Sequence, residues 1–416
     1  VKQKSINLGG LICLTALAVR AAWVLYRWSQ DGAALEYPDE ELHWQLARNL
    51  ITDGALVSDD GRFAARMPLY PLFLALFAWS GSIGVLSARI AQALLGAATV
   101  WIVHAFMRKR FDRRAADVAA GLFCVDPFTI FFSNLLLTEI LYVFLSVALI
   151  ICAWSLFTDP AQAKFRAVLG VAVLGLAALM TRPSAAGWIL MLWLFLWLSE
   201  TRRARASRRA CVYATVMLFG FLPWGLRNMS VLGSPAWLSA NGGVTLYDAQ
   251  GPQADGGSCQ AFINELPELV GLDEIERDQT LRRLAAERMR SDPARVIRLA
   301  WTKLLRTWNL VPNVAEHRGG MTAVISALFT ASVIIAALWG LIRVMREKTP
   351  PSNGLRRLHV LLWLPIVYFT LVHCVFIGSV RYRVPLMPLL QIAAATVLVR
   401  QERIPPPRGD EQADLA

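Results

Sequence analysis

Charged residues are scarce in this chain. Asp, Glu, Lys and Arg make up 17% of its 416 residues, against about a quarter in soluble domains. With 56% apolar residues, 15 Trp, 19 Phe and a mean hydropathy of +0.45, that shortage excludes an ordinary water-soluble globule and points to an integral membrane protein. Paired cysteines are also missing. Of the six, Cys13, Cys124, Cys152, Cys211 and Cys374 lie in apolar runs, Cys259 sits in a polar loop, and no CxxC occurs. This excludes a disulfide framework or a cysteine metal cluster and leaves small buried hydrophobes. No short-period repeat is present, which argues against a solenoid. No small-residue cleavage site follows the first apolar segment, which comes after Lys2 and Lys4, so it reads as a retained span rather than a signal peptide. The net charge of +12 does not indicate nucleic acid, because the basic residues punctuate apolar segments, as orientation determinants do.

A helical span needs about 20 apolar residues. The apolar segments predict an all-α polytopic protein with about ten spans: residues 8–28, 85–107, two within 115–157 split near Ser133-Asn134, two within 165–198 split at Thr181-Arg182-Pro183, then 210–226, 321–342, 358–376 and 384–399. Residues 67–79 are too short to cross and open with Pro68 and Pro71, so they read as an interfacial or re-entrant helix. Basic clusters at 108–114, 164–166, 202–209, 343–348, 356–357 and 400–408 fall on one side if both termini are cytoplasmic. The long loops, 29–84 and 227–320, then lie outside. The expected organisation is an N-terminal membrane module, 1–226, with a first outer loop at 29–84. An extracytoplasmic region with amphipathic helices, 227–320, and C-terminal spans, 321–400, follow. The Pro-rich charged tail, 401–416, reads as disordered.

This topology collects the informative polar residues on one face. In the stretch from Glu36 to Leu50, Leu42, Leu46 and Leu50 mark one side of a short amphipathic helix that starts near Pro38 and Asp39. Asp39 is either the N-cap of that helix or a carboxylate held at the membrane surface for chemistry. Glu40 and His43 accompany it. Arg66 and Tyr70 precede and enter the short apolar helix, Glu139 opens the fourth span, and Arg182 lies at a hairpin turn. Arg227-Asn228 follows the seventh span, and Arg381-Tyr382-Arg383 precedes the tenth. Arg20 lies in the outer half of the first. Singly, such arginines snorkel to headgroups and such acids cap helices; Asn228-Met229-Ser230 also matches a weak glycosylation pattern. Together, acids and arginines on one membrane face suit an anionic, membrane-embedded substrate. Arginine binds phosphate bidentately and a carboxylate can act as general base.

In their order, these residues resemble the polyprenyl-phosphate-sugar-dependent glycosyltransferases of the membrane C superfamily, in particular the bacterial branch of the dolichyl-phosphate-mannose protein mannosyltransferases, which includes the lipid A aminoarabinose transferases. The resemblance is carried by Asp39-Glu40 after the first span, Ala47 and Leu50, Arg66-Met67-Pro68-Leu69-Tyr70-Pro71, Leu137-Thr138-Glu139, Thr181-Arg182-Pro183, Pro223-Trp224-Gly225-Leu226-Arg227-Asn228 and Arg381-Tyr382-Arg383-Val384-Pro385. It implies a glycosyltransferase C-type fold in a bacterial inner membrane. It implies a sugar donor on a polyprenyl phosphate and an extracytoplasmic lipid, glycan or protein acceptor. It places Asp39 in the slot of the catalytic acid, with Glu139 as a second catalytic candidate. Glu40, His43, Arg66, Tyr70, Arg182, Arg227, Asn228, Arg381, Tyr382 and Arg383 are its substrate-binding candidates. His43 stands where relatives often have Tyr. Some superfamily members use a divalent metal ion, but the sequence fixes no ligand set; Asp39 and His43 share a helix face and are a weak pair alone. Three other functions compete: a polysaccharide ligase or polymerase with a polyprenyl-linked substrate, a lipid or solute transporter, and a membrane scaffold. A transporter would carry its charges near the midplane, often in repeated halves, and neither is visible here.

Overall fold

The computed structural model describes residues 8–158, 164–234, 236–314, 318–346 and 353–399. The expected disordered tail at 401–416 lies outside the described residues. Those described contain helices and no strand. Six helical stretches have the length and composition to cross a bilayer: Leu8–Asp31, Ala78–Arg110, Glu139–Thr158, Arg203–Leu232, Gly320–Arg346 and Gly354–Val375. We label the corresponding helices α1 (Leu8–Asp31), α4 (Gly81–Arg110), α7 (Glu139–Thr158), α10 (Arg203–Leu232), α14 (Gly320–Arg346) and α15 (Asn353–Val375).

The other four expected spans are shorter or broken. The pair within 165–198 forms α8 (Phe165–Thr181) and α9 (Ala186–Ser199). Between them Arg182 is extended, φ −142° and ψ 119°, as the residue before a proline prefers. The expected third span divides into α5 (Arg113–Cys124) and α6 (Pro127–Phe132). Asp126 causes that break: its side chain accepts from the backbone N–H groups of Phe128 and Thr129 and starts α6. Arg20 of α1 reaches carbonyls at the end of α5, donating to Phe123 O at 2.9 Å and Cys124 O at 3.2 Å. A Cβ at Gly96 of α4 would lie 2.7 Å from the Arg20 Nε, so only glycine leaves this arginine its path. Arg20 is thus a buried tie between helices and does not snorkel to headgroups. The expected tenth span is a buried run of a 3-10 turn, α17 (Met387–Ala395) and a second 3-10 turn.

Helix α4 packs against α1, α5 and α7, while α7 continues the layer to α8 and α15. Leu145, Leu149, Ile150 and Ala153 of α7 are buried in the main core with Leu389, Leu390 and Ala393 of α17. On one face of this bundle lie α2 (Pro38–Thr52), α3 (Leu69–Ala75), α11 (Gly242–Gln250), α12 (Glu274–Ser291), α13 (Pro293–Thr307) and α16 (Val380–Arg383). Residues 67–79 form only the seven-residue α3 and the start of a 3-10 turn, about 10 Å of helix. Helix α10 runs past the expected 210–226 and stops at Gly233, whose φ of +64° is the left-handed conformation that favours glycine at a helix end.

Candidate active site

Asp39 is the second residue of α2, and the cap position belongs to Tyr37. The neighbouring Glu40 does the work expected of a cap. Its Oε2 accepts from the backbone N–H of Glu36 (2.9 Å) and Tyr37 (3.2 Å), and its Oε1 accepts from Leu136 N–H at 2.7 Å. Glu40 is fully buried and joins the start of α2 to the segment before α7. Burial pushes its carboxyl up, against those backbone donors. Asp39 is therefore free of backbone duty.

Its partners are two arginines. Arg66 Nη2 donates to Oδ1 and Arg381 Nη1 to Oδ2, each at 2.6 Å. The Arg381 Nε donates to Glu139 Oε1, also at 2.6 Å, and Arg182 Nη2 reaches the same oxygen at 3.2 Å. One continuous network thus joins α2, the segment leading into α3, the N-terminus of α7, the α8–α9 turn and α16. Glu139 is fully buried, whereas the Asp39 side chain keeps 34% of its surface open. Burial would raise the Asp39 carboxyl, but the charges of Arg66 and Arg381 override it and hold it well below the usual carboxylate range. Three guanidiniums face two carboxylates, a local excess of one positive charge that favours an anion beside Asp39.

Aromatic rings wall the network. Arg182 lies over the rings of Tyr142 (5.5 Å) and Tyr382 (5.9 Å). Tyr382 stacks on His373 at 4.1 Å. His43 is buried edge-on against Tyr70, centroids 4.9 Å apart. Burial and the nearby Arg66 charge push the His43 imidazole down to about 3, so it is neutral at pH 7. The Tyr70 hydroxyl donates to Gln92 Oε1 at 2.9 Å, and Gln92 in turn donates to Leu135 O at 2.7 Å.

The structure therefore brings together Asp39, Glu139, Arg66, Arg182, Arg381 and Tyr382, with His43 and Tyr70 beneath them. It does not bring Arg227, Asn228 or Arg383 to this network. Arg227 donates to the carbonyls of Phe63 and Leu56, and Asn228 donates to Ala236 O. The Arg227 bonds hold the first long loop against the end of α10, and the Asn228 bond holds the segment that follows α10. The fully buried Arg383 donates to Asn309 O and Thr307 O at the end of α13 and lies over Phe128.

The residues that hold the network were not singled out from sequence. Arg89 of α4 donates to Gly32 O and Ala34 O and fixes the chain between α1 and α2. Arg89 and Gln92 are polar residues three apart inside an apolar segment, a visible signal. Glu274 accepts from Phe63 N–H and Ala64 N–H, just before Arg66, across 210 residues of chain. Nothing local marks it.

The donor set does not fit a divalent cation as it stands. Arg381 bridges Asp39 and Glu139, and both Asp39 oxygens are bonded to guanidiniums. Among the described residues, no group of three His, Cys, Asp or Glu side chains can hold a metal ion.

Residues 65–226 match the family described as Dolichyl-phosphate-mannose-protein mannosyltransferase. The match contains Arg66, Tyr70, Glu139 and Arg182, and leaves out Asp39 and Arg381. No curated protein matches the chain. Among solved structures, the chain is similar to the archaeal oligosaccharyltransferase AglB from Archaeoglobus fulgidus in complex with an inhibitory peptide and a dolichol-phosphate (TM-score 0.53, 16% identity, covering 92% of this chain and 50% of that one). The apo form of the Archaeoglobus fulgidus oligosaccharyltransferase aligns with a TM-score of 0.54, 15% identity and 95% and 50% coverage. ArnT from Cupriavidus metallidurans bound to undecaprenyl phosphate aligns with a TM-score of 0.44, 15% identity and 93% and 77% coverage. The chain spans about half the length of the archaeal structures. Over residues 65–226 the chain is similar to the dolichyl-phosphate-mannose-protein mannosyltransferase family, and over most of its length it shares the helical fold of the archaeal oligosaccharyltransferase.

Proposed function

We propose that the chain is an integral membrane glycosyltransferase that moves a sugar from a polyprenyl-phosphate donor to a hydroxyl of an extracytoplasmic lipid, glycan or protein. The observation that carries this reading is the half-open Asp39 carboxylate held between Arg66 and Arg381, with Arg381 also bonded to Glu139. The face bearing Asp39 would be extracytoplasmic, and the donor phosphate would enter from the bilayer.

The chemistry follows from the charges. The acceptor oxygen attacks the anomeric carbon, the bond from that carbon to the phosphate oxygen breaks, and the lipid phosphate leaves as an anion. Arginines stabilise that charge as it develops. The acceptor proton goes to Asp39, and in-line attack inverts the anomeric centre. At rest Asp39 is a poor base, because two guanidiniums stabilise its ionised form. A donor phosphate competes for the same guanidiniums, draws their charge away and raises the proton affinity of Asp39 when substrate is bound. Glu139 is buried and bonded to Arg182 and Arg381, so it positions these arginines.

The test is mass spectrometry of envelope lipids, glycans and glycoproteins from cells with and without the gene, paired with release of free polyprenyl phosphate by the purified protein. Loss of one sugar from one component, matched by donor cleavage, is the expected result. An unchanged envelope and no donor cleavage would remove this reading in favour of a transporter or scaffold.

A further inference from the structure

Helix α13 is amphipathic the wrong way round for water. The face turned into the protein carries Leu299, Lys303 and Thr307, all buried, and the Lys303 side chain is fully enclosed. The face turned outward carries Ile297, Trp301 and Leu305, which are 72%, 62% and 55% exposed. Residues four apart lie on one side of a helix, so these three form one continuous apolar stripe. A helix resting on protein in water turns such a stripe inward.

The position of α13 identifies what covers it. Helix α13 packs against α15, which has membrane-crossing length. Lys303 Nζ donates to Val375 O, the last residue of α15, at 2.8 Å. The outward side of α15 carries the same four-residue stripe, Val367, Leu371 and Val375, at 53%, 62% and 40% exposure. The apolar surface of a membrane helix therefore continues onto α13 at the end of the span. Trp301 is the residue type that sits at a headgroup boundary. Arg298, 70% exposed beside the stripe, supplies the positive charge that meets lipid phosphate.

We propose that α13 lies in the interfacial layer of the leaflet on the Asp39 side, with Ile297, Trp301 and Leu305 covered by phospholipid acyl chains. The inference rests on the membrane embedding of α15 and not on the glycosyltransferase reading. It gives α13 a second role. The same helix grips the segment leading to Arg381: Arg306 Nε donates to Gly378 O at 3.3 Å, and the carbonyl of Thr307 and that of Asn309 just beyond the helix accept from Arg383. The bilayer surface thereby sets the height at which Arg381 is presented.

Site-directed spin labelling of the full chain in phosphatidylcholine–phosphatidylglycerol nanodiscs tests this. Ile297→Cys, Trp301→Cys, Leu305→Cys and Arg298→Cys are labelled singly in a background lacking the six native cysteines, and collision rates with oxygen and with nickel-EDDA are compared. The stripe positions are expected to favour oxygen several-fold, and position 298 to shift toward nickel-EDDA. A preference for nickel-EDDA along the stripe would place it in water. Labels that neither reagent reaches would mean that protein, such as a second copy of the chain, covers the stripe. Either result overturns the proposal. If Trp301→Cys does not fold, positions 297 and 305 decide.

Discussion

At the scale of residues, the division of labour between Asp39 and Glu40 organises the site. They are adjacent in sequence, and local rules assign the helix start to Asp39. The structure gives that task to Glu40, whose two oxygens hold backbone N–H groups before α2 and before α7. Asp39 is left to the arginines. No sequence pattern could decide this, because Leu136 lies 96 residues from Glu40. Arg381 is the second pivot, with its Nε on Glu139 and its Nη1 on Asp39. A planar fork makes both bonds at once, and an ammonium on a flexible stem does not. Arg381→Lys is therefore expected to insert normally but to weaken donor binding and transfer by at least about tenfold, the loss of one charged hydrogen bond. Titration of reconstituted protein with the polyprenyl-phosphate donor measures it. Unchanged affinity and rate would mean that Arg381 only braces the two acids.

At the scale of elements, legibility follows the distance over which each cause acts. Membrane helices α1, α4, α7 and α15 are written in local apolar runs and are visible in sequence. Leu42 and Leu46 of α2 are buried as their spacing implies. The break between α5 and α6 depends on Asp126, Gln391 and Arg20, which come from three parts of the chain. It reads in sequence as an uninterrupted span. The segment 375–380, which delivers Arg381, is held in the same non-local way. Val375 O accepts from Gln250 and Lys303, Gly378 N–H donates to Gly256 O, and Val380 N–H donates to Asn313. Burial and the Arg295 charge push the Lys303 ammonium down to about 8, so it still carries its charge at pH 7. Lys303→Met keeps the stem and removes the donor to Val375 O. The protein is expected to lose about 1–3 kcal/mol of stability and to transfer more slowly at saturating donor, because Arg381 is less well held. A thermal melt and a kcat measurement on one preparation check both. Wild-type values in each would show that the other bonds suffice.

At the scale of the whole molecule, every charged group of the network lies on one face of the bundle. Helix α11 packs against α12 and α15, and α13 packs against α12, α15 and α16. The basic clusters Arg108–Arg110 and Arg203–Arg209 sit at the ends of helices away from it. If positive clusters mark the cytoplasm, the Asp39 face is extracytoplasmic. Single cysteines at the exposed Asp59 and Gln253 should react with an impermeant thiol reagent in intact cells, and one at the exposed Ala204 should react only after lysis. Reaction at Ala204 in intact cells would invert the molecule and place its chemistry beside cytoplasmic substrates.

Sugar transfer by Asp39→Asn tests the central claim most directly. Asp39 caps nothing, and Asn keeps its shape and one acceptor oxygen for Arg66 or Arg381 while the other guanidinium is left for the donor phosphate, so the fold and the donor site should persist. What Asn cannot do is take the acceptor proton. With purified polyprenyl-phosphate donor in vesicles, the variant is expected to bind donor and melt like the wild type while transferring about 100-fold more slowly or worse. A stable Asp39→Asn protein that transfers sugar at near the wild-type rate would contradict the account.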